Sequence, residues 1–542
     1  MGVARTLVTW LMIIAPVIFL ISIIVYPVLS LMGQFASSVN FSDLFGNSPE
    51  ASLARDAVYN SLEQGILSSA TSFVAGFPLG VILARIHPKL HRFYRSFILL
   101  PFFLPSIVVV LAFISLFGRG SPVTSLFPFM TALSSGLTGI IAVNTFFNAP
   151  LVAFLTSSGI ERSDSRLEEA ASTLGAGPLR IFSGIWGRDG IRAAMGAVVL
   201  TFLYSFAGFA APLIIGGPQN YTIETWIYYS VKMLGDIPLG VLFSAVQSLT
   251  LLVPVIFYSY FMGKSRSEVS YDSGRMIRRK TNGFAGYAGS AYFSLYVLTE
   301  IVILGSIVFS SIDLGWKNNL NFSSYLSLFG TKIRLTFGIS PFQPILNTMF
   351  YGFLTSVATV SLGLAWITGK RRVGIRSDSL IDSFQYIPLL IPAIVMAFSI
   401  SVVIGNYISQ SLTWVLIIAA QTGIAIPVTL RVISAGFSRI PASLSEASSV
   451  LGGNPLFEIE LPLSGSVLAT AVMFAFAISI GEFTATNFLS TSLFMPLSVE
   501  IYSLQSARLV QDSYAAASLL LGLSTLIFYI IQRIGERFVF IP

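Results

Sequence analysis

Two carboxylates in matching surroundings are the residues best placed to do work in this chain. Glu169 opens a run of Glu169, Ala170, Ala171 and then Gly175, and Glu446 opens a run of Glu446, Ala447, Ser448 and then Gly452. Each run lies in a short polar stretch between long apolar ones, EEAASTLGAGPLRIFSGIWGRDG at 168–190 and SEASSVLGGNPLFEIELPLSG at 445–465. A carboxylate beside small residues breaks no bond. It can accept hydrogen bonds or pair with a base, a charge-assisted contact worth about 1.5–3 kcal/mol, while the small side chains admit a close backbone approach. Gly tolerates the turn that follows, and Pro178 or Pro455 is accepted in the first turn of a new helix. The pattern predicts two short helices joined at a Gly-to-Pro corner, twice.

Other chemistries are poorly supplied. The chain has no Cys, which excludes disulfides, thiolate metal sites and Cys nucleophiles. Its two His, His87 and His91, share one basic loop, so neither a metal site nor a catalytic residue is predicted. Gly263, Lys264 and Ser265 lack the Gly five residues earlier that a phosphate loop needs, and they end an apolar span where a strand should precede. Carboxylates inside apolar spans are costly and usually functional. Glu482, in GEFTAT at 481–486, therefore stands out, with Glu300 and Glu63 behind it. Either Glu482 favours a cationic solute or it makes a structural bond to Ser479, Thr484 or a neighbouring helix, and the structural reading carries more weight.

The elements that must position these groups are membrane spans. With 54% hydrophobic and 10% charged residues among 542, and a mean hydropathy of +0.81, the chain is a polytopic membrane protein. A span needs about 20 apolar residues. Twelve stretches qualify, near 6–32, 58–84, 96–117, 137–159, 193–215, 239–262, 289–311, 345–369, 382–404, 412–435, 466–489 and 513–532. If the N-terminus is cytoplasmic, most of the 31 Lys and Arg residues fall on inner segments. The positive-inside rule then puts both ends and both Glu-Ala loops in the cytoplasm. The net charge of +7 fits loops beside an anionic leaflet and calls for no nucleic acid.

The repeat runs through the whole chain. Asn60 and Gly65 match Asn347 and Gly352, and Pro101 and Pro105 match Pro388 and Pro392, all 287 residues apart. Pro150 and Glu169 match Pro427 and Glu446 at 277, and Ile227 and Tyr228 match Ile501 and Tyr502 at 274. The offset changes only in loops, as expected of a duplicated six-span unit. Six spans per unit give parallel repeats about an axis along the membrane normal, with a path between them. The expected units are 1–270 and 289–542, joined by a cytoplasmic linker at 271–288, with the Glu-Ala loops at 161–190 and 438–465.

At this point the residues resemble a family. A Glu-Ala-Ala, then Gly, loop before the fifth span of a six-helix unit is similar to the EAA loop of the permeases of binding-protein-dependent ABC importers. Tyr26-Pro27, PFFLPS at 101–106, FFNAP at 146–150 and GEFTAT add to the likeness. The fused halves, FFNAP and IIGGPQNYTIETWIY at 214–228 look most like ferric iron and thiamine permeases, and GEFTAT is also similar to sulfate and molybdate permeases. The resemblance implies an all-α fold of about twelve transmembrane helices in two tandem six-helix repeats, the type I importer permease fold, in the plasma membrane. It implies that Glu169, Ala170, Ala171, Gly175, Glu446, Ala447, Ser448 and Gly452 dock two ABC ATPase subunits, which use ATP and Mg while this chain binds no cofactor. It implies an extracytoplasmic solute-binding protein, and a solute path past Glu482, Phe483 and their counterparts Gly208 and Phe209. In the family a Leu-Pro pair follows the loop Gly by thirteen residues. Here Gly187-Arg188 stand in that place in the first copy, and Leu461-Pro462 comes three residues early in the second, so unequal docking surfaces are expected. The rivals are a twelve-span secondary transporter and, more remotely, a membrane enzyme.

Overall fold

The computed structural model describes residues 2–35, 49–85, 97–161, 163, 165–264, 284–312, 320–328, 342–373 and 387–538. The expected linker at 271–288 lies mostly outside these, as do His87, His91 and Ser265. Among the described residues the regular elements are helices. In the first half they are α1 (Gly2–Leu20), α2 (Tyr26–Phe35), α3 (Pro49–Arg85), α4 (Ser106–Phe117), α5 (Gly136–Glu161), α6 (Ser165–Thr173), α7 (Gly187–Phe206), α8 (Ile223–Tyr228) and α9 (Ile237–Lys264). In the second they are α10 (Phe284–Ile312), α11 (Gln343–Val373), α12 (Ala393–Val403), α13 (Thr413–Phe437), α14 (Ala442–Val450), α15 (Leu461–Gly481), α16 (Thr484–Leu489), α17 (Leu497–Ser506) and α18 (Val510–Phe538).

Within the described residues each of the twelve expected spans falls on helix, but four are interrupted. Among the described residues ten helical stretches are long and apolar enough to cross a membrane, and Ile237–Leu252 and Ala393–Tyr407 are shorter apolar helices. The expected third and ninth spans, 96–117 and 382–404, break just before α4 and α12. Pro105 and Pro392 stand at those breaks with extended ψ angles of 132° and 146°, because Pro bars the preceding helix from running through it. The fifth and eleventh spans, expected to be continuous over 193–215 and 466–489, stop at Phe206 and Gly481 and resume as short helical turns.

Each half has a bundle of three helices, α3, α5 and α7 in the first and α11, α13 and α15 in the second. In the first bundle a Cβ on Gly76 or Gly80 would stand 2.4 Å from the Ala149 carbonyl or 2.5 Å from Thr156, so Gly is what lets α3 lie on α5. The opening helix of each half packs on the other half. A Cβ on Gly369 of α11 would stand 2.7 Å from Ile13 and 3.2 Å from Met12 of α1. Tyr292 of α10 donates to the Ala75 carbonyl of α3 at 2.9 Å, and Ser310 shares a 2.6 Å hydrogen bond with Ser115 of α4.

The sequence repeat is reproduced contact by contact. The Asn60 amide donates to the carbonyls of Gln219 and Tyr221 at 2.9 and 3.1 Å. Asn347 does the same to the matching carbonyls of Leu493 and Met495 at 3.4 and 2.9 Å. Gly65 lies under Phe202 as Gly352 lies under Phe476. The matched Asn thus tie the loop after each fifth span to the second span.

Candidate coupling loops and translocation gate

Both Glu-Ala loops fold into a short helix closed by the same cap. After α6, Gly175 adopts φ +79°, its N–H bonds the Ser172 carbonyl, and the Ala176 N–H bonds the Ala171 carbonyl. After α14, Gly452 adopts φ +80°, its N–H bonds the Ser449 carbonyl, and the Gly453 N–H bonds the Ser448 carbonyl. This is the Schellman motif twice, and its left-handed residue is why Gly stands there. Glu169, Ala170, Glu446 and Ala447 are exposed, and Leu174 and Leu451, at 88% and 86% exposure, follow them at matched positions. Each loop therefore presents a carboxylate, a methyl group and a free leucine.

The second small residue faces the other way. Ala171 is half-buried against a small core of Ala84, Ile160, Ile181 and Trp186, and Ser448 is buried, donating to Glu458 at 2.8 Å. These two seat the helix on its own chain. The three-residue difference between the copies falls behind the cap. The first copy has an extra helical turn, Pro178–Ile181, before the π-helical turn Phe182–Trp186, whereas in the second Pro455 leads straight into the π-helical turn Leu456–Glu460. Sequence reasoning missed the ion pairs beneath the loops, Arg85–Glu168 at 3.0 Å and Arg371–Glu460 at 3.7 Å. The basic residues at the ends of the second and eighth spans were the available signal, and they had been read only for orientation.

Where the fifth and eleventh spans break, the halves meet. Phe209 and Phe483, equivalent residues, are stacked with ring centroids 5.8 Å apart and are 2% and 1% exposed. Tyr228 lies edge-on to Phe209 at 5.4 Å, and Tyr502 lies edge-on to Phe483 at 5.8 Å. The Tyr228 hydroxyl faces Tyr502 and Asn487. Contacts between equivalent residues place this aromatic quartet across the axis relating the halves. Tyr228 and Tyr502 were visible in the sequence as a repeat but not as neighbours.

Glu482 is tied into the backbone beside this contact. At the break it accepts from the N–H groups of Ala485 and Thr486, both at 2.8 Å, and from the Thr486 hydroxyl at 2.5 Å. It caps α16, whose first N–H groups have no partner of their own within the helix. Gly208, its counterpart, bonds through its backbone to Ser205 just as Glu482 bonds to Ser479. Glu300, on α10, is fully buried and Glu63 half-buried. No cluster of metal-binding side chains occurs among the described residues.

Residues 76–266 and 361–540 match the family described as binding-protein-dependent transport system inner membrane component. The chain is 24% identical to the ferric transport system permease protein of Actinobacillus pleuropneumoniae, over 80% of this chain and 64% of that one. It is 24% identical to the thiamine transport system permease protein of Haemophilus influenzae, over 87% of each. Those matches run through both halves and set aside the secondary transporter and the membrane enzyme. The chain belongs to the binding-protein-dependent transport system inner membrane components, and is a multi-pass ABC importer permease and not an enzyme.

Proposed function

We propose that this permease passes a small cationic solute, ferric iron or thiamine or one of similar chemistry, from an extracytoplasmic binding protein through the aromatic quartet. Two ABC ATPase subunits dock on α6 and α14, using ATP and Mg, while this chain holds no cofactor. Both termini are cytoplasmic. The permease halves are 1–270 and 289–542, with 271–288 as the cytoplasmic linker. Relatives are named for ferric and thiamine transport, and aromatic faces attract cations.

The observation that carries this reading is the pairing of two identically capped, outward-facing helices with a gate of equivalent residues. The Phe209–Phe483 contact is worth about 0.5–1.5 kcal/mol. Swinging a two-state equilibrium from 1:99 to 99:1 takes about 5.5 kcal/mol of differential binding, so partner closure outweighs the gate contact.

The test is ATP hydrolysis by the chain reconstituted with candidate ATPase subunits and binding protein. Stimulation by loaded binding protein in wild type, with collapse in Glu169→Ala and Glu446→Ala, is the expected result. Loss of one charge-assisted contact weakens docking by roughly ten- to a hundredfold. If no ATPase associates, or both variants behave as wild type, the docking assignment fails. Uptake of labelled iron and of labelled thiamine in the same vesicles decides the solute.

A further inference from the structure

The two coupling loops are fastened to different helices. In the first half, Arg85 at the end of α3 donates to both oxygens of Glu168 on α6, at 3.0 and 3.3 Å. Both side chains are nearly buried, 14% and 15% exposed, and the guanidinium lies 4.1 Å from the centre of the Trp186 ring. Trp186 ends the π-helical turn that leads into α7. The charged bond therefore joins the coupling helix to α3, while α7 is reached through Trp186 and, just before α6, through the Ser163 hydroxyl, which donates to Asp189 at 2.6 Å.

In the second half the acid has moved. Ser445 occupies the position of Glu168, and Glu460 occupies that of Trp186. Arg371, at the end of α11, keeps the basic role. It stands 3.7 Å from Glu460 and donates to the carbonyls of Phe437 and Ile440, both at 3.2 Å. The coupling helix α14 holds Glu458 and Glu460 by serine hydroxyls, Ser448 at 2.8 Å and Ser445 at 3.4 Å. Those two glutamates belong to the turn that continues into α15, the helix ending beside Phe483. Even the backbone is fitted to this bond, since a Cβ on Gly453 would stand 2.0 Å from the Glu458 carboxylate.

We propose that the two loops transmit ATPase movement by different routes, the first through Arg85–Glu168 to α3 and the second through Glu458 and Glu460 directly to α15. Arg85, Glu168, Glu458 and Glu460 are positioning residues, and the second loop drives the gate phenylalanine of its own half while the first swings its bundle from α3. This rests on the docking of ATPase subunits at α6 and α14. A partly buried charged bond transmits displacement because breaking it leaves a charge unpaired at low dielectric. The serine bonds to carboxylates do the same at shorter range.

The test uses the full complex in nanodiscs for wild type, Glu168→Gln, Glu460→Gln and the charge-reversed double variant R85E/E168R. Solute moved per ATP hydrolysed is expected to fall about tenfold in each single variant, a size typical of coupling between sites, with ATPase affinity unchanged. The double variant restores it. Because the chain has no Cys, spin labels can be placed cleanly at Leu174→Cys with Tyr59→Cys on α3, and at Leu451→Cys with Leu463→Cys on α15. On ATP binding both distances hold constant in wild type. The first becomes variable in Glu168→Gln only, and the second in Glu460→Gln only. If the variants keep wild-type coupling, if the double variant fails to rescue, or if the distances respond alike in both variants, the two-route proposal is wrong. Failure of the ATPase to bind wild type is a separate result, and it removes the docking assignment beneath it.

Discussion

Glu482 accepts three hydrogen bonds from the first turn of α16, and that settles what its substitution should do. Glu482→Gln removes one acceptor and strands a donor at a half-buried helix start, at a cost of about 1–3 kcal/mol. The melting temperature of the purified protein is expected to fall, with the KM for solute unchanged. A changed KM at unchanged melting temperature would put Glu482 on the path after all. The sequence allowed both roles, because no Pro marks the break in the eleventh span, and the polar GEFTATN that follows Ile480 reads equally well as a path lining or as a cap. Phe483 is the residue of that pair that faces the axis. Phe483→Ala, or Phe209→Ala, removes the ring contact between the halves, and on the proposed gate proteoliposomes without ATP are expected to leak solute that wild type retains. Tight vesicles from both variants would show that the seal lies elsewhere.

At the level of elements, the two Glu-Ala helices were legible because their chemistry is local. Glu, Ala and a Gly at a fixed distance determine a helix, its outward face and its stop, and both copies end in a left-handed Gly. Placing Ala at Gly175 or at Gly452 therefore costs the same, roughly 1–2 kcal/mol for a left-handed backbone. Hydrogen exchange at the amides of α6 and α14 is expected to rise by similar factors in the two variants. A large effect in one and none in the other would mean that the caps are not equivalent. The three-residue shortfall of the second copy was legible too, but its location was not. It removes the turn Pro178–Ile181 behind the cap, leaving α6 and α14 themselves alike. What no local pattern could show is the transfer of the acid from Glu168 to Glu460, since an ion pair across 83 residues, as between Arg85 and Glu168, depends on how the bundle closes.

For the whole molecule, duplication was the most legible feature, and the structure gives its matched residues physical work. Asn60 and Asn347 were conspicuous only as a repeat, and each holds a pair of carbonyls in the loop after a fifth span. The contacts between halves were not legible, because equivalent residues such as Tyr228 and Tyr502 meet only once the axis is fixed. Crossed packing of α1 on α11 and of α10 on α3 and α4 holds the halves without the linker. Co-expressed as 1–270 and 271–542, the two pieces are expected to co-purify and to restore uptake in vesicles. Pieces that separate during purification would mean that the linker carries the assembly.

The crossing of the opening helices also sets a schedule for synthesis. α1 leaves the ribosome long before α11, and its seat there is made only after Gln343, more than half the chain later. At about 5–20 residues per second, that leaves α1 unseated for roughly 16 s to a minute, with the face bearing Ile13 and Leu20, both buried in the finished fold, turned to lipid. A nascent chain that stops after its first half never receives the missing partner. Pulse-chase labelling is expected to show such a fragment cleared by membrane proteases well before the completed chain.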